Sequence, residues 1–306
     1  MQTIQHILYG AANVIVVLLV APFFEGVLRK VTARIQSRKG PPLWQPYYDL
    51  LKLLGKEDIE SGSSPAMQRF AAYLSLAAVL TVATLVPMGA PAPMGAGGDA
   101  VLLIYLLTLC GVSTLLAALA AGSVYSVVGM SREMMAMLSL EPILAIAIVV
   151  GAMHTGSLRL DAVLSGSAYA GGTFPLAGLM LLGVTLLALQ AFIGRVPFDI
   201  SEAETEIMEG PLVEYSGPKL ALFKYSQMAK LVVYGALLTG IFFPWGNGLP
   251  YPLGLAILLV KVFILVLLVT VVAATHARYR IDQALRYYVS LLGASGAALV
   301  LAAFGY

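Results

Sequence analysis

The chain has 306 residues, 59% of them apolar and 11% charged, with 18 Lys and Arg against 16 Asp and Glu for a net charge of +2. A soluble domain carries about 25% charged residues, so this composition excludes an ordinary globular fold and points to a polytopic α-helical membrane protein. The small net charge gives no case for nucleic acid. The one cysteine, Cys110, supplies neither an internal disulfide nor the roughly four ligands of an iron–sulfur cluster.

About eight apolar runs are long enough to span, near 6–28, 68–88, 100–121, 132–153, 174–194, 219–243, 252–274 and 285–305. The first has no basic start and no small-residue cleavage site, so it reads as a spanning helix and not as a signal peptide. Pro- and Gly-rich connections punctuate the runs at 87–99 and 244–252. No internal repeat or linker divides the chain, so residues 1–306 are expected to form one membrane domain. With eight spans, fifteen Lys and Arg fall in loops or span ends on one side and Arg159 alone on the other. The positive-inside rule then puts both termini on the outer face.

The first loop after the opening span holds more than a connection. Trp44, Tyr47, Leu51 and Leu54 recur at helical spacing, with Asp49, Lys52 and Lys56 on another face. That pattern predicts a short amphipathic helix on the membrane surface. The preceding RIQSRKGPP (34–42) is a basic turn. It serves either as a topology anchor near anionic lipid or as a docking surface for a partner.

Charges inside spans cost roughly 2.5–3.5 kcal/mol each on insertion scales and persist when paired or useful. Glu141, Lys230 and Lys261 fall near the middles of the fourth, sixth and seventh spans, and Glu25, Glu133 and Lys224 lie closer to their ends. One reading is static pairing of Glu141 with Lys230 or Lys261. The other is a chain of groups that passes protons between one face and mid-membrane.

Between the fifth and sixth spans stands RVPFDISEAETEIMEGPLVEYSG (195–217), with six acids and one base. Asp199, Glu202, Glu206 and Glu209 are spaced three, four and three, so a helix here would carry them as one stripe. Mutual repulsion would make some of these carboxyls bind protons more tightly. Asp199-x-x-Glu202 also resembles a capping box, which leaves Glu204, Glu206, Glu209 and Glu214 unaccounted for. His6, His154 and His276 sit near span ends and share no metal-ligand spacing. No phosphate loop or nucleophile–base pair is evident, so a self-contained enzyme is not expected.

PFDISEAETEIMEGPLVEYSG (197–217) resembles the signature of the H-type membrane subunit shared by respiratory complex I and the energy-converting membrane-bound nickel–iron hydrogenases. ARIQSRKGPPLWQPYYDLLKLLGKEDI (33–59) resembles that family's first loop and surface helix, and GMSREMMAMLSLEPILA (129–145) its acidic mid-chain helix. The resemblance covers essentially the whole chain and is closest to the hydrogenase branch, which includes formate hydrogenlyase, carbon-monoxide-linked and Ech-type enzymes. It implies a multi-pass subunit of a prokaryotic inner membrane that anchors and couples a redox arm to proton or sodium translocation. The implied partners are the hydrogenase large and small subunits, iron–sulfur subunits and an antiporter-like membrane subunit. The clusters and the nickel–iron centre would reside in those partners, and this chain binds no cofactor alone. By the family pattern, Glu133 and Glu141 are the membrane acids of a proton path. Asp199, Glu202, Glu204, Glu206, Glu209 and Glu214 would face the arm, and Arg34, Arg38, Asp49 and Lys52 would frame its docking site. Lys230 and Lys261 join the proton path from the burial argument alone. The alternatives are the quinone-cavity subunit of complex I and a stand-alone ion transporter.

Overall fold

The computed structural model describes residues 2–59, 64–90, 92–94, 98–164, 169, 175–243, 245–246 and 249–305, and it is an all-α bundle. In chain order the helices are α1 (Gln2–Ile35), α2 (Gln45–Leu54), α3 (Pro65–Leu85), α4 (Ala100–Ala121), α5 (Val124–Thr155), a single turn α6 (Leu160–Val163), α7 (Pro175–Phe192), a single turn α8 (Glu204–Ile207), α9 (Gly217–Phe242), α10 (Tyr251–Thr275) and α11 (Ile281–Ala303). Helices are the form such a sequence takes in lipid, because each satisfies its own backbone polar groups.

Among the described residues six helices, α1, α3, α4, α5, α10 and α11, are long and apolar enough to cross a membrane. The remaining two expected spans are also helices. α7 is a shorter apolar helix. α9 has 26 residues and a more polar sequence, with Lys219, Lys224, Gln227 and Lys230. Its position explains the difference. α9 packs against α1, α2, α3, α7 and α10, and most of its residues are buried. A helix screened from lipid by its neighbours does not need an apolar surface. The fourth span also starts earlier than the hydropathy suggests, at Val124 instead of near 132.

Among the described residues two prolines sit inside helices, Pro22 in α1 and Pro142 in α5. A helical proline lacks an N–H and leaves the carbonyl four residues earlier unpaired. For Pro22 that carbonyl belongs to Leu18, and the Tyr225 hydroxyl of α9 donates to it at 2.6 Å. The central helix thus repairs the bond that α1 loses.

The two ends of the bundle differ. One end carries Arg29, the loop 193–216 between α7 and α9, and Arg278 between α10 and α11. The other carries Arg159, whose side chain pairs with Asp161 at 2.7 Å and whose backbone forms an isolated antiparallel β-bridge with Asp99. α1 begins and α11 ends at that second end. The expected parity is therefore present in the bundle itself.

Candidate functional site

The acidic segment does not form the striped helix that its spacing predicts. A single turn, α8, covers Glu204–Ile207, and a 3-10 turn follows at Gly210–Leu212. Met208, Glu209 and Gly210 all take positive φ (51°, 68° and 51°), a left-handed run that stops a right-handed helix. The capping reading fails too, because α8 starts after Ala203 with no side-chain cap.

Long-range pairing overrides the helical period here. Arg278 donates to the Asp199 carboxylate at 2.8 Å and to the Thr205 hydroxyl at 2.9 Å. Arg132 of α5 donates to Glu206 at 2.6 Å and to the Ile200 carbonyl at 3.3 Å. Ser126 donates to the Gly210 carbonyl at 3.2 Å. Gly129 lets the turn close on α5: a Cβ there would stand 2.6 Å from Pro211 Cδ. Bare backbone is required at both Gly129 and Gly210.

Folded this way, the loop roofs a cavity of about 350 Å³ that runs into the bundle. Asp199, Glu202 and Glu209 line it from the loop, and Glu133 and Glu141 from α5. Lys224, Gln227, Lys230 and Tyr234 line it from α9. Their spacings of three, three and four place those four on one helical face. Glu133 and Glu141 are two turns apart on α5, about 12 Å of rise. Two polar stripes, one mainly acidic and one mainly basic, thus face each other across the cavity. Phe192, Leu107, Thr114 and Tyr288 close the walls.

Several contacts set the charge of this space. Gln227 donates to the Glu202 carboxylate, and Lys224 reaches Glu209 at 3.9 Å. Burial in the cavity roof raises the Glu202 carboxyl above its ordinary value. Nearby Asp199 and Glu133 add to the rise, while Lys224 opposes it. Glu202 therefore holds its proton into a higher pH range than a solvated carboxyl.

At the mouth stand Arg29 and Arg195. Both pair with Glu25, which is 3% exposed. Arg29 also reaches Asp49 of α2 at 2.8 Å, and Gln45 donates to the same carboxylate at 2.9 Å. Desolvation works against the Asp49 anion, but the bonds from Gln45 and Arg29 outweigh it and hold the carboxyl below its ordinary value.

The expected site residues therefore divide. The cavity gathers Glu133, Glu141, Asp199, Glu202, Glu209 and Lys230. Glu206 lies outside it on Arg132. Glu214 sits further along the same loop, away from the cavity wall. The Glu204 side chain lies outside the described residues. Lys261 does not join them: its ammonium donates to the Phe243 carbonyl at 2.6 Å and to that of Trp245, just past the far end of α9. Its charge serves that chain reversal. Asp49 is turned inward to Arg29, whereas Arg34, Arg38 and Lys52 are exposed.

Sequence reasoning missed Gln227, Tyr234 and Tyr288, and counted Arg29, Arg132 and Arg195 for topology alone. The helical spacing of Lys224, Gln227, Lys230 and Tyr234 was a readable signal for two of the three. Nothing in the sequence pointed to Tyr288, which comes from α11.

A family profile described as NADH dehydrogenase matches residues 9–303. The chain is 34% identical over 299 residues to hydrogenase-4 component C of Escherichia coli K12, covering 96% of this chain and 94% of that protein. It is 32% identical over 288 residues to formate hydrogenlyase subunit 4 of the same organism, covering 91% and 92%. Among solved structures, a chain of the membrane-bound sulfane sulfur reductase, an archaeal respiratory membrane complex, matches with a TM-score of 0.86 at 28% identity, covering 97% of this chain and 99% of that one.

Proposed function

The chain belongs to the NADH dehydrogenase family of membrane subunits, and from that premise we propose that it anchors the redox arm of a hydrogenase-type complex and couples electron transfer there to proton movement in the bundle. It is a multi-pass, membrane-embedded subunit of a hydrogenase- or complex-I-like oxidoreductase complex. The observation that carries the finer reading is the roofed cavity with its facing stripes, Glu133 and Glu141 against Lys224, Gln227, Lys230 and Tyr234.

The roof is the sensor in this account. Electron arrival at a cluster in the arm changes local charge by one unit. At about 10 Å and an effective dielectric of about 20, that is worth about 1.7 kcal/mol, more than one pKa unit. Glu202, whose proton affinity burial already raises, gains or releases a proton in response. Glu133 and then Glu141 carry the proton inward, with Lys230 and Tyr234 opposite. The arm docks on the basic end, against Arg34, Arg38 and the loop acids Glu204, Glu206 and Glu214. Both termini then lie on the outer face, a reading supported by the distribution of basic residues.

A cavity with acids along one wall and bases along the facing one suits water and protons better than an apolar quinone tail, which favours the hydrogenase reading over a quinone site. A mild-detergent pull-down tests it. Nickel, iron and hydrogen evolution in the eluate support the hydrogenase assignment. Iron without nickel, with quinone-linked oxidation, overturns it in favour of a complex-I-type assembly.

A further inference from the structure

We propose that the outward face of α2 seats an anionic phospholipid, its acyl chains against Trp44, Tyr48 and Leu51 and its phosphate at Lys52 and Lys56.

The argument starts from how α2 lies. At its beginning the Trp44 ring is 6.1 Å from that of Phe23, and the Tyr47 hydroxyl donates to the Leu19 carbonyl. Just after its end, Asp58 pairs with Lys219 at 3.3 Å, and the Glu57 carbonyl approaches Gly217 so closely that a Cβ there would meet it at 2.7 Å. Tyr225 of α9 donates to Leu18, one residue from the Tyr47 contact. The start of α2 is therefore level with Tyr225, and the segment after its end is level with Gly217. Those two residues are eight apart on α9, about 12 Å of rise. The helix slants through the interfacial layer and does not lie flat upon it.

Its two sides differ. Pro46 and Leu50 are buried against the bundle. Trp44, Tyr48 and Leu51, spaced four and three on the other side, are 58%, 62% and 65% exposed. On α1, Ile15 and Leu19 are exposed on the bilayer side of Trp44, so the bare apolar strip is continuous with the outer surface of a spanning helix. Lys52 and Lys56, both exposed, follow toward the basic end. Asp49 is engaged by Arg29 and Gln45. Along the bundle axis the order is aliphatic, aromatic, cationic, which is the order of acyl chain, interface and anionic headgroup. That axial match is what selects a phospholipid over a soluble protein surface. It stands independently of how protons move.

The test uses the intact complex in nanodiscs of mixed phosphatidylglycerol and phosphatidylcholine. A photoreactive benzoylphenylalanine in place of Leu51 is expected to yield a lipid adduct. Native mass spectrometry should show phosphatidylglycerol retained over phosphatidylcholine. Lys52→Gln with Lys56→Gln should reduce that preference about thirtyfold, while Lys39→Gln leaves it in place. A cross-link from position 51 into another protein subunit overturns the proposal. So does equal retention of the two lipids, or an unchanged preference in the double variant.

Discussion

Arg195 and Glu25 lie 170 residues apart in the chain and meet as a direct ion pair at the mouth of the cavity. Glu25 also accepts from Arg29 at 3.1 Å, and Arg29 passes the connection on to Asp49. One nearly buried carboxylate therefore ties α1, the surface helix and the acidic loop together. The loop can roof the cavity because Arg195, near its start, is held there.

Removing that carboxylate takes the Glu25 partner from Arg195 and leaves Arg29 with Asp49 alone, two guanidinium groups facing each other across the gap. Breaking one partner of a buried ion pair costs about 3–5 kcal/mol. Glu25→Gln keeps the shape and loses the charge, so a loss of about 3 kcal/mol is expected. Thermal unfolding of the complex in detergent checks it. A change near zero would show that the two arginines find water or other acids.

Acid should loosen α2. The Asp49 carboxyl is held below its ordinary value of 3.8. Between its lowered value and 3.8 the folded state binds fewer protons than the unfolded one. Its contribution is thus fully present above about pH 4 and is lost as pH falls through the lowered value. In a Trp245→Phe background, Trp44 fluorescence should report this release below pH 4, and Asp49→Asn should abolish the transition. A transition that survives Asp49→Asn would place the titrating group elsewhere.

Glu202 titrates in the opposite sense. Its carboxyl is raised, chiefly by burial, so the folded state binds more protons than the unfolded one above the ordinary value of 4.5. The cost of ionising it grows as pH rises through that window. Glu202→Gln fixes the neutral form. The variant should be at least as stable as the parent at neutral pH, yet lose proton-coupled turnover by roughly 10²-fold. Full turnover in that variant would remove Glu202 from the path.

Gly210 should tolerate no side chain. Its φ is +51°, and a Cβ would stand 2.1 Å from the Ser201 carbonyl oxygen. Gly210→Ala is expected to cost more than about 1 kcal/mol and to displace the roof. Faster proteolysis within 199–212 would report the displacement. An unchanged digestion pattern would show that the turn adapts.

Membership of the bundle was legible because apolar runs of spanning length have few other solutions. Glu141 was legible because charge at mid-membrane is costly and therefore conspicuous, whereas Glu133, closer to a span end, was picked out by the family resemblance. The acidic stripe was misread for a physical reason. Its spacing was helical, but Arg132 and Arg278 supply stronger partners than a helix offers, and the left-handed run at Met208–Gly210 ends the turn. Lys261 carried the same mid-span signal as Lys230, yet it serves two carbonyls beyond the end of α9. Position along a span does not say which face looks inward. The pairing of Glu25 with Arg195 had no sequence signal, because it depends on how α1 and the loop pack.

The most direct test of the central claim is proton translocation by the Glu141→Gln complex in proteoliposomes, measured together with hydrogen production driven by a reduced viologen. Hydrogen production that continues while acidification of the lumen is lost is the predicted result. Translocation at the parent's ratio of protons to hydrogen would contradict the cavity's role as the proton route.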